Sequence, residues 1–168
     1  MMIEIAEIES PIGDVTVACI GQTLVALHFA DSRRELEDRL GRRFEEINLS
    51  GGRHADETAG RLRDYFAGDI CAIDSLSVDP GGTPFQQRVW AQLRRIGPGQ
   101  TASYRDVATA IGAPTATRAV GAANGANPIG IVIPCHRVIG ANGTLTGYGG
   151  GIDRKRWLLA HEGALLAL

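Results

Sequence analysis

The segment of this 168-residue chain best equipped for chemistry surrounds its third cysteine. An apolar run rich in β-branched residues, Ile129 to Ile133, is followed by Pro134 and then by Cys135, His136 and Arg137. Such a run favours a strand, and proline lacks the N–H that a sheet requires, so we expect a buried strand that ends at Pro134. Because nearby positive charge favours a thiolate, Cys135 is predicted to be a nucleophile with a lowered pKa.

A base for this thiol is available in His136, although successive side chains of an extended segment point to opposite faces. Either the chain turns at Pro134 or a water molecule carries the proton, and we favour the water. A histidine base needs an orienting acid, and Glu162 lies over the apolar side of the last predicted helix, where a carboxylate requires a partner. The alternative is that Glu162 belongs to a frayed, solvated helix end just before Gly163. A cysteine, a histidine and an acid from distant segments form an activated nucleophile, which on its own also suits a cysteine hydrolase.

Charge is distributed unevenly along the chain. Residues 1–80 hold 8 arginines and 16 acidic residues, whereas residues 81–168 hold 9 basic and 3 acidic residues. A basic half indicates a polyanionic partner, and the alternative is an uneven surface without one. The change of sign coincides with a linker-like sequence at 79–82, which predicts an acidic domain over 1–80 and a basic domain over 81–168.

The predicted fold class is α+β. In the first domain, alternating apolar residues up to Phe29 predict a small antiparallel sheet, and helices are expected after Asp31 and from about Asp56 to Phe66. A last strand is predicted at Ser75 to Val78. The second domain is predicted to be mostly helical, beginning with a helix that has Pro84 in its first turn.

Two short helices of the second domain form a predicted helix-turn-helix. The first starts with a capping box at Ser103 and Asp106, and the second runs from about Thr115 to Asn124. Arg118 shares one side of the second helix with residues that have little or no side chain: Gly121, Ala122 and Gly125. A bare helical surface allows close approach to another backbone, so DNA is the favoured partner; the alternative is an alanine-rich packing helix with a solvated arginine.

Composition excludes several other classes. Three scattered cysteines do not make a disulfide framework, which predicts a reduced, cytoplasmic protein. The longest apolar run is too short to cross a bilayer, and no secretion signal is visible. The four histidines form no paired ligand spacing with the cysteines, so we expect no metal site.

Taken together, the motifs resemble those of the O6-alkylguanine-DNA alkyltransferases, also called methylated-DNA–protein-cysteine methyltransferases. The similarity spans essentially all of residues 83–163, and its most specific part is the cysteine motif at 134–138 with Asn127-Pro128 upstream. Supporting matches lie at 85–90, 103–104, 118–121, 147–151 and 157–163. The first half matches only loosely, in its length and in the turn at 10–13.

The resemblance implies a role for each residue of the reactive centre. Cys135 would accept the alkyl group, His136 would take its proton through water, and Glu162 would hold His136. Asn127 would fix the turn between the DNA helix and the active-site strand. Tyr148 would donate a hydrogen bond to the guanine as it leaves.

For DNA, the resemblance implies that Arg118 fills the space of an extruded base and that Tyr104 presses on the neighbouring phosphate. The helix pair would enter the minor groove. Further DNA and substrate contacts would come from Gly121, Ala122, Val138, Gly149 and Gly150. Some relatives carry serine at the position of Gly149, so a hydroxyl contact to the base is absent here.

The implied function is direct repair of O6-alkylguanine, and also of O4-alkylthymine, in double-stranded DNA. The alkyl group would pass irreversibly to Cys135 in a single turnover, without a cofactor and without an obligate protein partner, in a monomer. Two alternatives stay open from the sequence: a module that binds alkylated DNA without repairing it, and a cysteine hydrolase. Cys135 argues against the first, because the binding-only relatives lack this cysteine, and the helix pair with Arg118 argues against the second.

Overall fold

The computed structural model describes residues 1–164, apart from the side chain of Ser32. The chain divides into two compact units, Met1–Pro80 and a second that begins at Gly81. Residues 165–168, at the end of the predicted second domain, lie outside the described residues. Within residues 1–164, no helix is both long enough and apolar enough to span a membrane.

The first unit is built on a four-stranded sheet with the order β3-β2-β1-β4. Its strands are β1 (Met2–Ile8), β2 (Val15–Ile20), β3 (Thr23–Phe29) and β4 (Asn48–Ser50). The first three strands pair antiparallel, as their alternating sequence predicts. The unpredicted β4 pairs parallel with β1, so the sheet is mixed. The strand predicted at 75–78 is reduced to one isolated bridge between Leu24 and Val78.

Helices cover both faces of this sheet, namely α1 (Arg33–Arg43) and α2 (Arg53–Phe66). Leu36 of α1 belongs to the same buried cluster as Ala18 of β2. The next residue of β2, Cys19, contacts Thr58 of α2. Because successive residues of a strand point to opposite faces, α1 and α2 lie on opposite sides of the sheet. This explains why β2 is buried along almost its whole length.

Helix α2 begins three residues before the predicted Asp56, because a residue from another element caps it. Glu4 of β1 accepts hydrogen bonds at Oε2 from the backbone N–H groups of His54, at 2.7 Å, and Ala55, at 3.1 Å. The bonds from Ala55 and His54 lower the pKa of Glu4. A long-range cap of this kind leaves no local signal in the sequence.

Within residues 81–164, the second unit contains four α-helices and two short strands. The helices are α3 (Pro84–Leu93), α4 (Tyr104–Ala110), α5 (Thr117–Gly125) and α6 (Ile152–His161), and the strands are β5 (Ala102–Ser103) and β6 (Val138–Ile139). The predicted capping box at Ser103 and Asp106 is present, as is Pro84 in the first turn of α3. Helix α5 begins two residues after the predicted Thr115. The α+β class is confirmed.

A strand pairing and a side-chain hydrogen bond help to hold the helix pair α4–α5 in place. Strands β5 and β6 pair parallel, with Ser103 opposite Ile139, which brings the start of α4 against the residues that follow Cys135. On the other side, the indole N–H of Trp90 donates to the carbonyl of Ala123 in α5 at 2.8 Å. The helix pair is therefore fixed to the segment that carries the cysteine and to α3.

Candidate active site

Cys135 lies in a turn, not at the end of a strand. Residues Cys135–Arg137 form one turn of 3-10 helix directly before β6. The preceding run 129–133 is buried almost throughout, and it contains local hydrogen bonds, such as that from Ile133 N to Ile129 O at 3.0 Å. Ile131 has a φ of 69°, which a strand excludes. The predicted strand is therefore wrong: burial explains the apolar run, which folds as successive turns.

Asn127 replaces the missing sheet hydrogen bonds around this turn. Its Nδ2 donates to the carbonyl of Ile133 at 2.8 Å, and its Oδ1 accepts from the N–H of Ile129 at 3.0 Å. One amide side chain thus joins both ends of the turned segment. Buried backbone groups need partners of this kind, so Asn127 fixes the path by which the chain reaches Cys135.

A second asparagine, which sequence reasoning missed, supports the cysteine from α5. Asn124 is buried, and its Nδ2 donates to the carbonyl of Cys135 at 3.3 Å. Its Oδ1 is buried and has no hydrogen-bond partner among residues 1–164. A signal was available, since Asn124 stands one turn after Val120 on the buried face of α5, where a polar residue needs a reason.

His136, Arg137 and Glu162 form a buried charged cluster. His136 Nε2 lies 2.8 Å from Glu162 Oε1, and Arg137 Nε lies 2.9 Å from the same oxygen. Arg137 Nη2 donates to Oε2 at 2.8 Å, and Nη1 donates to the carbonyl of Ile96 at 2.6 Å. Glu162 therefore contacts two side chains, whereas the sequence had predicted its contact with His136 and not that with Arg137.

The cluster fixes which histidine nitrogen can accept a proton. Burial alone would raise the pKa of Glu162, but the hydrogen bonds from His136 and Arg137 outweigh it and bring the pKa to about 2. A carboxylate can only accept, so His136 carries its hydrogen on Nε2. Nδ1 is then an acceptor, and it is buried without a hydrogen-bond partner in the described part of the chain. Burial also lowers the pKa of His136, which keeps the ring neutral at pH 7.

The thiol itself differs from the expectation of a lowered pKa. Burial raises the pKa of Cys135 above its usual range, and this effect exceeds the opposing effects of a hydrogen bond with Asn127 and the charge of Lys155. Arg137, the cation adjacent in sequence, is instead neutralised by Glu162. The predicted low pKa is therefore wrong, and the thiol needs a base to lose its proton.

Lys155 is a further residue that sequence reasoning missed. It is 0% exposed, and its Nζ donates to the carbonyls of Val138 at 2.6 Å and Thr146 at 3.3 Å. Burial lowers the pKa of Lys155, and Cys135 opposes that shift. The helical spacing from Lys155 to Leu158, Leu159 and Glu162 places it on the buried face of α6, which the sequence could have indicated.

Tyr148 lies beside the turn that precedes Cys135. Its hydroxyl would be 3.7 Å from a Cβ at Gly130. Burial, followed by the charge of Cys135, raises the pKa of Tyr148 well above its usual range, so the phenol remains a hydrogen-bond donor. Val138 is buried directly after the cysteine turn, whereas Gly149 is exposed and Gly150 half-buried in the loop around Tyr148.

The helix pair α4–α5 presents the predicted small-residue surface. Arg118, Ala122 and Gly125 are exposed, while Val120 is buried on the opposite side of α5. A Cβ at Gly121 would lie 3.8 Å from the ring of Tyr104, an ordinary contact distance. The protein itself would therefore accept alanine at Gly121.

No disulfide joins Cys19, Cys71 and Cys135, and no cluster of potential metal ligands occurs within residues 1–164. A helix-turn-helix attached to an enclosed cysteine, with a histidine and a carboxylate behind it, is expected of a nucleic-acid-binding protein with a cysteine nucleophile.

Comparisons with known proteins identify this class more closely. Residues 84–164 match the family model for the DNA-binding domain of 6-O-methylguanine DNA methyltransferase. The methylated-DNA–protein-cysteine methyltransferase of Salmonella typhimurium is 49% identical over 163 residues, 95% of each chain. That of Mycobacterium tuberculosis H37Rv is 48% identical over 161 residues, 96% of this chain and 93% of the relative.

Comparison with solved structures leads to the same family. The crystal structure of Mycobacterium tuberculosis O6-methylguanine methyltransferase has a TM-score of 0.80 at 44% identity, covering 96% of this chain and 93% of that one. The structure of Mycobacterium tuberculosis OGT in complex with DNA has a TM-score of 0.79 at 43% identity, covering 97% and 93%. The chain belongs to the methylated-DNA–protein-cysteine methyltransferase family, and the family that the motifs predicted is confirmed.

Proposed function

We propose that this DNA-repair methyltransferase binds double-stranded DNA containing O6-alkylguanine and transfers the alkyl group to Cys135. The observation that carries the assignment is the buried Glu162–His136 pair directly behind the cysteine, at 2.8 Å. Cys19 is also buried, but its described partner is Thr58. The hydrolase and binding-only alternatives have no comparable support from the relatives.

The proton of the thiol is proposed to pass to His136. Nε2 is already occupied by Glu162, so Nδ1 is the accepting atom, reached through a water molecule. The raised pKa of Cys135 makes this step necessary, because little thiolate would otherwise form near pH 7. Lys155 supports the thiolate through its buried charge, and Asn127 supports it through a hydrogen bond.

Transfer then exchanges one bond for another. The sulfur–carbon bond forms while the bond between carbon and O6 breaks, and the electron pair moves onto guanine. Tyr148, which its raised pKa keeps protonated, donates a hydrogen bond to that developing charge. The thiol loses one proton overall and guanine gains one, so charge balances. The product is a thioether, which thiol–disulfide exchange does not reverse, so each molecule acts once.

The alkylated oxygen lies inside a base stack, so the nucleotide must be extruded, at a cost of roughly a few kcal/mol. The exposed surface of α5 suits the narrow minor groove, because Gly121, Ala122 and Gly125 allow close approach. Arg118 is the long side chain available on this surface to fill the vacated space, and Tyr104 stands one helix away to press on the phosphate. Gly149 and Gly150, with main-chain groups near Val138, would border the extruded base.

The same site would accept O4-alkylthymine, whose alkylated oxygen occupies an equivalent base edge. No step calls for a cofactor or a second subunit, so we propose a monomer. The DNA substrate and the need for a reduced Cys135 support a cytoplasmic location for the activity.

The assignment is tested by the intact mass of the protein after incubation with duplex DNA containing one O6-methylguanine. We expect each chain to gain a single methyl group, and peptide mapping to locate it on Cys135. Continued demethylation of excess DNA by a fixed amount of protein would contradict the single turnover. A methyl group on Cys19 or Cys71 would contradict the choice of acceptor.

Arg118→Ala is expected to slow repair of duplex DNA about tenfold while changing the reaction with free O6-benzylguanine less than about twofold. The reason is that the free base needs no extrusion, whose cost of a few kcal/mol exceeds this difference. Single-turnover rates at saturating protein, measured on both substrates, provide the comparison.

Arg105→Ala is the matched control, because Arg105 is also an exposed arginine and lies on α4. If Arg118 served only to pair with phosphate, its loss would weaken binding to all DNA and reduce the salt slope by about one unit, leaving the rate at saturation unchanged. Equal slowing of the duplex and the free base would show that Arg118 supports the thiol or the fold.

A further inference from the structure

A hydrogen bond joins the helix pair to the loop that carries Tyr148. The hydroxyl of Tyr104, the first residue of α4, lies 2.7 Å from Oγ1 of Thr146, and either oxygen can donate. Thr146 belongs to the glycine-rich loop, residues 140–151, two positions before Tyr148. The bond spans 42 residues of sequence, so it connects elements that no local turn would hold together.

The loop contains no helix or strand among residues 140–151. Several of its backbone hydrogen bonds are internal, such as those from Gly143 N to Gly140 O and from Gly151 N to Tyr148 O, both 2.9 Å. Thr146 provides ties to the surrounding structure in two directions. Its hydroxyl meets Tyr104, and its carbonyl accepts from Nζ of the buried Lys155 at 3.3 Å. Thr146 is therefore well placed to determine where the following tyrosine lies.

The bond is also compatible with a phosphate contact at Tyr104. A phenol can donate its hydrogen to a phosphate while its oxygen accepts from Thr146. A phosphate would then select the arrangement in which Thr146 donates, and hydrogen bonds in such a chain strengthen one another. DNA bound at α4 would in this way hold the loop in place.

We propose that Thr146 is a positioning residue: its hydroxyl, bound to Tyr104, holds the glycine-rich loop so that Tyr148 faces the leaving guanine. DNA contact at α4 is thereby coupled to the position of this loop. This inference rests on the proposed function, because it assigns to Thr146 the placement of a group that acts in alkyl transfer.

The test uses Thr146→Val, which keeps the shape of the side chain but removes the hydroxyl, and Thr146→Ser, which keeps the hydroxyl. With free O6-benzylguanine, Thr146→Val is expected to react about fivefold more slowly, the size of one neutral hydrogen bond, and Thr146→Ser to stay within about twofold of the unmodified protein. Tyr104→Phe should match Thr146→Val, and the double variant should be no slower than either single variant.

Hydrogen exchange in the absence of substrate provides an independent measurement. The amides of Gly143 and Gly151 are expected to exchange about fivefold faster in Thr146→Val and Tyr104→Phe than in the unmodified protein or Thr146→Ser. This arm does not depend on alkyl transfer. If the unmodified protein transferred no alkyl group, the proposed function would fail while the hydrogen-bonded tie could still be measured.

Three results would overturn the inference. Thr146→Val could react with the free base at the unmodified rate, which would show that the hydroxyl positions nothing. Thr146→Ser could be as slow as Thr146→Val, which would show that the position tolerates no change of side chain and that the hydroxyl alone does not explain the effect. The losses in Thr146→Val and Tyr104→Phe could multiply in the double variant, which would show that the two hydroxyls act separately.

Discussion

Cys135→Ala is expected to abolish alkyl transfer while leaving the binding of alkylated DNA within about threefold of the unmodified protein, a difference below 1 kcal/mol. The side chain is small and nearly fully enclosed, and the cysteine backbone is held through its carbonyl by Asn124. Replacing the CH2–SH side chain by a methyl group therefore removes the nucleophile without changing the turn. The exposed residues of α5, namely Arg118, Ala122 and Gly125, are not altered by this change. Intact mass and a binding titration on the same duplex measure the two effects.

The other two cysteines provide matched controls. Cys19 is buried against Thr58, and burial raises the pKa of its thiol. Cys71 is exposed in the first unit. Cys19→Ala and Cys71→Ser should each still take up one alkyl group per chain. Uptake of an alkyl group by Cys135→Ala would refute Cys135 as the acceptor. Turnover of an ester by the unmodified protein would favour the hydrolase alternative.

Elements whose bounds are set by neighbouring residues could be predicted from the sequence, whereas those set by residues far away in the chain could not. The capping box at Ser103 and Asp106 fixes the start of α4 through neighbouring residues, so the sequence located it. The start of α2 depends on Glu4, about fifty residues away in the chain, and was misplaced. Strand β4 is three residues long and exists through its pairing with β1, which no alternation in so short a segment reveals.

The active site shows the same difference between contacts of neighbouring residues and contacts of residues far away in the chain. The motif containing Cys135 and His136 indicated which residue types meet, and the structure does bring Glu162 to His136. The pKa of the thiol was mispredicted because Arg137, which is close to Cys135 in the sequence, was assumed to act on the thiol. Arg137 turns towards Glu162, and the cation that acts on the thiol is Lys155, twenty residues further on. The buried run 129–133 was mistaken for a strand because burial, which dictates its composition, does not distinguish a strand from packed turns.

Glu162→Gln is expected to lower the free energy of unfolding by roughly 3–5 kcal/mol at pH 7, because Arg137 would remain buried without its counter-ion. The pH dependence identifies the cause. The carboxyl has a pKa of about 2 in the folded protein against an ordinary 4.5, so its stabilisation is complete above the ordinary value and is lost as the pH falls towards 2. The stability difference between the unmodified protein and Glu162→Gln should therefore shrink over that range. Denaturant unfolding at several pH values measures it.

The effect of Glu162 on transfer is separable from its effect on stability, because Glu162 holds two side chains. If it acts on the thiol through His136, Glu162→Gln should slow transfer about tenfold and His136→Ala roughly a hundredfold, the usual size of a lost general base. In the His136→Ala background, Glu162→Gln should change the rate less than about twofold, yet it should still destabilise the fold through Arg137.

The rate of the unmodified protein should fall as the pH drops through the lowered pKa of His136. Glu162 raises that pKa, so in Glu162→Gln the fall should move to lower pH. Rate losses that multiply in the double variant, with no movement of the pH profile, would show that Glu162 only anchors the end of α6.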